Sequence, residues 1–263
     1  MNFELKDKVV LITASSKGIG KAAAELFLVE GSKVVISSSN SDNLKSAAEE
    51  LKSITGSEPL TGVCDLNDLE DLKNIVKLTK EKFGKIDILV NNCGGPVPGM
   101  FDDLDDNKWQ HAVEQVLMSV VRLTRGVLPY MKENNWGRII NITSLSVKQP
   151  VDNLMLSNSL RSAVTAFAKT LSNEIGKNNI TVNNVAPGYT LTSRLHELAE
   201  LRAKNRGITK EEIFKEMASV VPMKRLADPH EVGAMIVYLA SEQAGYITGQ
   251  TIAVDGGVIK STY

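Results

Sequence analysis

The stretch VVLITASSKGIG, residues 9–20, is the part of the sequence around which the rest is organised. Its first four residues are apolar and mostly β-branched, which is typical of a central parallel strand that is buried on both faces. Small residues and two glycines follow, and the alanine-rich run from Lys21 to Phe27 then favours a helix. The sequence therefore predicts a strand, a glycine-containing turn and a helix in succession.

Such a turn can bind a phosphate group. It directs backbone N–H groups and the positive end of a helix dipole at one point, and glycine lets a ligand approach the backbone closely. The G-x-G-x-x-G spacing of dinucleotide-binding proteins is absent, so the turn alone is also compatible with an ordinary connection between strand and helix.

Size and composition limit the possible functions. The 263 residues, of which 43% are hydrophobic and 23% charged, suit one large α/β domain, 1–263. A formal net charge of −1 disfavours nucleic acid as a partner. The sequence shows neither a signal peptide nor an apolar run long enough to cross a membrane, so we expect a cytoplasmic protein. Two cysteines, Cys64 and Cys93, are expected to be buried thiols, and three histidines without ligand spacing predict no metal site.

Apolar runs alternate with helical patterns along the whole chain, which predicts βαβ units and a parallel sheet covered by helices on both faces. Two long helices are predicted, from about residue 107 to 134 and from about 153 to 176. The predicted strands are 9–12, 33–37, 60–65, 86–91, 138–142, 180–185 and 251–254.

One segment, 192–225, interrupts this alternation. It is helical in pattern but strongly charged, and it follows the sixth strand at the edge where open α/β sheets bind ligands. A lid over the substrate and a solvated pair of surface helices are both compatible with it.

Six short motifs now coincide in order and spacing with one family. They are TASSKGIG at 13–20, Asp65 after the third strand, NNCG at 91–94, NITS at 141–144, Pro187-Gly188 with Thr192, and the ending TGQ at 248–250 with DGG at 255–257. Together they resemble the short-chain dehydrogenase/reductase family, and most closely its acyl-carrier-protein ketoreductases and related sugar or steroid dehydrogenases.

This resemblance implies a Rossmann-type, doubly wound, three-layer fold and usually a homotetramer assembled through the two long helices and the C-terminal strand. It also implies that a nicotinamide dinucleotide binds at the matching positions. The cofactor-binding residues implied are Thr13, Ser15, Ser16, Lys17, Gly18, Ile19, Gly20, Ser38, Ser39, Asp65, Leu66, Asn91, Asn92, Gly94, Pro187, Gly188 and Thr192. Ala14 stands where the family commonly has glycine, and we expect its φ to be negative.

The end of the second strand bears on which dinucleotide binds. NAD-binding proteins place a carboxylate there to bind the ribose 2′-hydroxyl, and that charge repels a 2′-phosphate. Residues 37–40 are three serines and an asparagine, and Lys17 adds a positive charge nearby. The sequence therefore favours NADP over NAD.

The catalytic motif departs from the family pattern. Ser144 matches the substrate-orienting serine, but Ser157 stands where the family has its proton-donating tyrosine, Arg161 where it has lysine, and Val116 where it has asparagine. An aliphatic hydroxyl is a much weaker acid than a phenol, and arginine stays protonated, so neither can take over the usual proton transfer.

Two functions remain open. One is an NADP-dependent oxidoreductase acting on a carbonyl or alcohol substrate, in which Ser144 and Arg161 polarise the carbonyl and Tyr189 or solvent supplies the proton. The alternative is a dinucleotide-binding protein without turnover that regulates or supports an active partner.

Overall fold

The computed structural model describes residues 2–262, in which seven strands form one parallel sheet with the spatial order β3-β2-β1-β4-β5-β6-β7. The strands are β1 Val9–Ile12, β2 Lys33–Ser38, β3 Leu60–Val63, β4 Ile88–Asn91, β5 Gly137–Ile142, β6 Ile180–Pro187 and β7 Thr251–Val254. The predicted Rossmann-type doubly wound sheet is confirmed. The order of the strands reverses between β1 and β4, which is the switch point at which such sheets bind ligands.

Helices cover both faces of the sheet. They are α1 Gly18–Val29, α2 Ser41–Thr55, α3 Leu69–Phe83, α4 Asp106–Ala112, α5 Ser119–Glu133, α6 Met155–Ile175, α7 Ser193–Arg206, α8 Lys210–Val220 and α9 Pro229–Ala240. Strand β1 shows how its apolar residues divide between the two layers. Val10 and Ile12 pack with α1, α2 and α9, whereas Leu11 packs with α3, α5 and α6. The run of β-branched residues is therefore buried on both sides, as its composition predicts.

The first of the two predicted long helices is not continuous. A π-helical segment, Val113–Met118, separates α4 from α5 and contains the buried Val116. The spacing of the apolar residues predicts a helix here, but it does not distinguish an α-helix from a helix that contains one π-helical segment. π-Helical insertions are frequently found at functional sites.

Three buried asparagines connect the carboxyl ends of the central strands. Asn91, Asn141 and Asn184 are register partners on β4, β5 and β6. The amide of Asn91 donates to Asn141 Oδ1 at 2.9 Å, and the amide of Asn141 donates to Asn184 Oδ1 at 2.9 Å. Asn184 Nδ2 then donates to Thr251 Oγ1 on β7 at 3.1 Å. This amide chain joins the four strands at one level of the sheet, near the ends of β4 and β5, within β6 and at the start of β7.

We predict that Asn141→Leu lowers the free energy of unfolding by about 2–5 kcal/mol, because it leaves a buried donor of Asn91 and a buried acceptor of Asn184 without partners. Asn91→Leu is the matched control. Asn91 is the first member of the amide chain, and its Oδ1 has no hydrogen-bond partner among the described residues, so this change should cost about 1–2 kcal/mol. Urea unfolding followed by circular dichroism measures both. Equal losses for the two variants would contradict the role given to the amide chain.

Candidate functional site

A cleft of about 370 Å³ opens at the switch point beyond the carboxyl ends of β1, β4, β5 and β6. It lies between the glycine turn, the start of α6 and the helices α7 and α8. Of the residues predicted to form a site, it brings together Lys17, Gly18, Ile19, Asn92, Gly94, Ser144, Ser157, Arg161, Pro187, Gly188, Tyr189 and Thr192. Because these residues come from five separate parts of the chain, the fold and not the sequence gathers them.

The glycine turn presents an uncapped helix N-terminus to this cleft. Lys17 precedes α1 with an extended backbone, and no side chain caps the helix and no acidic residue lies in its first turn. By contrast, Asn40 and Asp68 cap α2 and α3 through their side chains. The first N–H groups of α1 are thus left for a ligand, and a helix N-terminus of this kind attracts phosphate.

Gly18 is required in this turn for two reasons. Its φ is +55°, a conformation that favours glycine, and a Cβ at this position would lie 3.1 Å from Cγ2 of Thr192. Thr192 itself caps α7, since its hydroxyl accepts from the N–H of Leu195 at 3.3 Å. The start of α7 therefore lies directly against the glycine turn.

The expectation of a negative φ at Ala14 is wrong: its φ is +45°. A residue with a Cβ pays about 1–2 kcal/mol for this conformation. Asn92 holds the segment in place, because its Nδ2 donates to the carbonyl oxygen of Ala14 at 2.9 Å and its N–H donates to Thr13 Oγ1 at 2.9 Å. The methyl group of Ala14 also packs against the core cluster under α3 and α5. Tertiary contacts thus maintain a backbone conformation that the residue type disfavours.

A network of serines joins the turn to the end of β2. The hydroxyl of Ser15 accepts from the N–H of Ser37 at 3.0 Å, and the hydroxyl of Ser16 donates to Ser38 Oγ at 3.1 Å. Ser39 is exposed next to them, and Lys17 makes no ion pair among residues 2–262. The place where an adenosine 2′-group would lie therefore has hydroxyl groups and a free cation, and residues 37–40 include no carboxylate.

Several predicted cofactor residues lie outside the main cleft. Asp65 and Leu66 follow β3, one strand beyond Ser38, where Asp65 Oδ1 accepts from Asn67. Four more of them are buried beneath the turn or in the neighbouring strands, where they support the cleft without lining it: Thr13, Ser15, Gly20 and Asn91. Gly20 is one of these supports, since a Cβ there would lie 2.9 Å from Cα of Ser15.

The end of β6 forms another wall of the cleft. Gly188 donates its N–H to the carbonyl oxygen of Val254 at 2.9 Å, and a Cβ at this position would lie 2.7 Å from Cα of Asp255. No real Cβ contact is that short, so only glycine allows β6 and β7 to approach this closely. Pro187 and Thr192 flank it along the wall.

Ser144, Ser157 and Arg161 all line the cleft. Ser144 follows β5 and accepts a hydrogen bond from the N–H of Ser146 at 3.1 Å, which leaves its own proton free to be donated. Ser157 and Arg161 lie one turn apart on α6, and they are 8% and 7% exposed. The three side chains come from the two elements that the family motif predicts.

Arg161 is held by the end of β5. Its Nη1 donates to the carbonyl oxygens of Ile142 at 2.9 Å and Thr143 at 3.1 Å. A guanidinium group has five N–H donors, so three remain available. Arg161 lines the cleft, and these donors can bind an oxygen atom there.

Behind Arg161 lies a small cavity of about 10 Å³, which Val116 and Asn91 also line. Asn91 Oδ1 is buried and has no hydrogen-bond partner among the described residues. Val116 offers this cavity no polar atom, so the site has no asparagine at the place where the family pattern has one.

Sequence reasoning missed two cations of this cleft, Arg194 and Arg202, which both lie on α7. The signal was present in the sequence, because Arg202 follows Leu195 and Leu198 at a spacing that places all three on one helix face. Among the apolar residues of segment 192–225, Leu195, Leu198 and Met217 line the cleft, whereas Ile213 and Phe214 pack between α7 and α8.

The cysteines and the metal-ligating residue types form no additional site among residues 2–262. Both cysteines are free, Cys64 is buried, and this burial raises the pKa of its thiol to about 12. Among residues 2–262, no group of three or more histidine, cysteine, aspartate or glutamate side chains could hold a metal ion. No helix in this part of the chain has the length and apolar character needed to span a membrane.

Comparisons with known proteins agree with this geometry. A family model described as Enoyl-(Acyl carrier protein) reductase matches residues 13–259. The NADPH-dependent reductase BacG of Bacillus subtilis is 32% identical over 261 residues, which are 98% of this chain and 100% of the relative.

Solved structures are similar over the whole chain. The L-sorbose reductase of Gluconobacter frateurii, solved with NADPH and L-sorbose, superposes with a TM-score of 0.94 and 36% identity over 99% of this chain and 100% of its own. A variant of actinorhodin polyketide ketoreductase, solved with NADPH, gives a TM-score of 0.93 and 32% identity over 97% of this chain and 98% of its own.

Proposed function

The chain belongs to the short-chain dehydrogenase/reductase family, and from this membership we propose that it is an NADPH-dependent oxidoreductase that reduces a carbonyl compound to an alcohol. The observation that carries the proposal is that one cleft contains both the uncapped start of α1 and the group Ser144, Ser157 and Arg161. A dinucleotide on the turn would extend its nicotinamide end toward these three side chains.

The residues present fit the cofactor. The backbone N–H groups at the start of α1 would hold the diphosphate, while Gly18 and Gly188 let Thr192 and Asp255 lie close to the backbone on either side of it. Ser16, Ser38 and Ser39 with Lys17 would bind the 2′-phosphate, and Asp65 and Leu66 would lie beside the adenine. Thr13, Ser15, Gly20, Asn91 and Asn92 would support the binding surface, while Gly94, Pro187 and Thr192 would contact the nicotinamide half.

The reaction follows from the positions of the polar groups. When bound, NADPH supplies a hydride for the carbonyl carbon. The Ser144 hydroxyl donates a hydrogen bond to the substrate oxygen, Ser157 orients it, and the free N–H donors of Arg161 stabilise the negative charge that develops on it. In a site shielded from water such donors contribute much of the rate enhancement. The oxygen finally takes up a proton, so the products are an alcohol and NADP⁺.

We assign the proton donor to Tyr189. It follows Gly188 in the cleft wall, its side chain is half-buried, and its hydroxyl has no hydrogen-bond partner among the described residues. A phenol is by its chemistry a much stronger acid than an aliphatic alcohol, so a tyrosine is better suited to donate the proton than a serine. Helices α7 and α8 would act as a lid that covers this centre once substrate binds.

The cofactor preference is tested with Ser38→Asp, which places a carboxylate at the end of β2. We expect the dissociation constant for NADPH to rise at least about tenfold, because the new charge repels the 2′-phosphate, while NADH binding improves. Ser57→Asp is the control, since it adds the same charge before β3 at the opposite edge of the sheet. Fluorescence titration with both dinucleotides measures this. Equal affinity of the parent protein for NADPH and NADH would refute the preference.

Turnover is tested with NADPH and a panel of ketones, ketoses, quinones and β-ketoacyl esters, followed by absorbance. We expect Ser144→Ala to lower kcat about a hundredfold, which is typical for the loss of one oxyanion donor, with NADPH binding unchanged.

Tyr189→Phe should lower kcat at least about tenfold. An unchanged rate for Tyr189→Phe would assign the proton to solvent. Tight NADPH binding without turnover of any compound would instead favour the non-catalytic partner, and activity gained by Ser157→Tyr with Arg161→Lys would indicate that the parent had lost it.

We also propose that the chain forms a homotetramer in the cytoplasm. Strand β7 is an edge strand whose four residues are only half-buried, and Phe167 on α6 is half-buried outside the core clusters. Light scattering should give four times the chain mass of 28.6 kDa. Phe167→Glu should reduce this mass, whereas Ser53→Glu on the exposed side of α2 should not. A monomeric parent protein would refute the assembly.

A further inference from the structure

The charge of the cleft is one-sided. Its lining within residues 2–262 includes four cations, Lys17, Arg161, Arg194 and Arg202, and neither an aspartate nor a glutamate. The whole chain has nearly balanced charge, with 30 basic and 31 acidic residues, so this excess is local. A cleft lined by charges of one sign attracts ligands of the opposite sign.

Three of these four cations have other roles. Lys17 lies at the phosphate-binding turn, and Arg161 binds the carbonyl oxygens of Ile142 and Thr143. Arg194 Nη2 donates to the carbonyl oxygen of Pro96 at 3.0 Å, and its Nη1 lies 3.6 Å from Glu197. These three therefore do not explain what the fourth cation is for.

Arg202 has no such partner. It is half-buried, and among the described residues it makes neither a hydrogen bond nor an ion pair. A partly buried guanidinium group has lost part of its hydration, and a partner that restores its hydrogen bonds would be favourable. Of the basic residues that follow it, Arg206 pairs with Glu216 and Lys210 with Glu200, whereas Lys204 is exposed to solvent and does not line the cleft.

The position of Arg202 separates it from the cofactor phosphates. The start of α7 at Thr192 lies against Gly18, and ten residues of α-helix place Arg202 about 15 Å farther along the axis. Between these points, Leu195, Leu198 and Met217 line the cleft. A ligand that extends from Ser144 under α7 would thus meet an apolar surface first and a cation at its far end.

We propose that Arg202 is the anion-binding residue of the substrate subsite, and that the substrate is an oxo acid in which an apolar segment separates the carbonyl group from a carboxylate. The planar guanidinium can bind a carboxylate through two parallel hydrogen bonds. This inference rests on the proposed reductase function, because it assumes that the carbonyl group lies at Ser144 beside a bound dinucleotide.

The test measures binding to the NADPH-loaded protein by isothermal titration calorimetry. The probes are 4-oxopentanoate, 6-oxoheptanoate and 7-oxooctanoate, each compared with its methyl ester, which has the same carbonyl group but no charge. We expect at least one acid to bind about tenfold or more tightly than its ester. Arg202→Met should abolish this difference, and Arg202→Lys should restore part of it. Lys204→Met is the matched control, because it removes a positive charge from an exposed position on the same helix.

The outcomes separate this inference from the proposed function. If NADPH itself does not bind, the reductase function fails. If NADPH binds but no acid binds better than its ester, or if the preference survives Arg202→Met, the anion subsite is refuted. Loss of the preference in Lys204→Met as well would refute a specific role for Arg202. Alkyl phosphates that bind more tightly than the acids through Arg202 would overturn the carboxylate in favour of a phosphorylated substrate.

Discussion

The register of the central strands is the constraint on which the rest of this structure depends. In a parallel sheet every carboxyl end points to the same edge, but side chains meet there only if each strand ends at the right residue. The hydrogen-bonded amides of Asn91, Asn141 and Asn184 fix that alignment on β4, β5 and β6. The turns that follow these strands carry Asn92, Ser144 and Gly188, so a shift of one residue in any strand would remove a wall of the cleft.

Arg161 determines how the centre of the cleft is built. A lysine at the position of Arg161 would have one compact ammonium group, whereas the guanidinium divides its donors between two backbone carbonyls and the cleft. Arg161 thereby connects α6 to the end of β5 and fixes its own direction. These hydrogen bonds hold the side chain in one position, but Arg161 cannot act as a proton donor, because a guanidinium group does not give up a proton near neutral pH.

One helix connects several parts of the cleft. Helix α7 begins against the glycine turn at Gly18 and carries Leu195, Leu198 and Arg202 along the cleft. It packs on α8 through Leu195, Ala199 and Met217, in a cluster separate from the two core layers of the sheet. The proposed substrate subsite therefore depends on where this helix pair lies and not on the register of the strands.

The sequence by itself determined the parallel sheet, the helices on both of its faces and the glycine turn between β1 and α1. Runs of β-branched residues and the positions of glycines are local patterns, and here the tertiary contacts favour the same structure. It also located Ser144, Ser157 and Arg161, since they lie on two elements at fixed spacing. Only the tertiary structure decided the rest. Ala14 adopts a positive φ because Asn92, 78 residues away, holds its carbonyl group, and no local pattern contains that contact. Among the described residues, Arg202 lines the cleft without an acidic partner, whereas Arg206 and Lys210 are paired, and which residues lie near a side chain is settled only when the helices pack together.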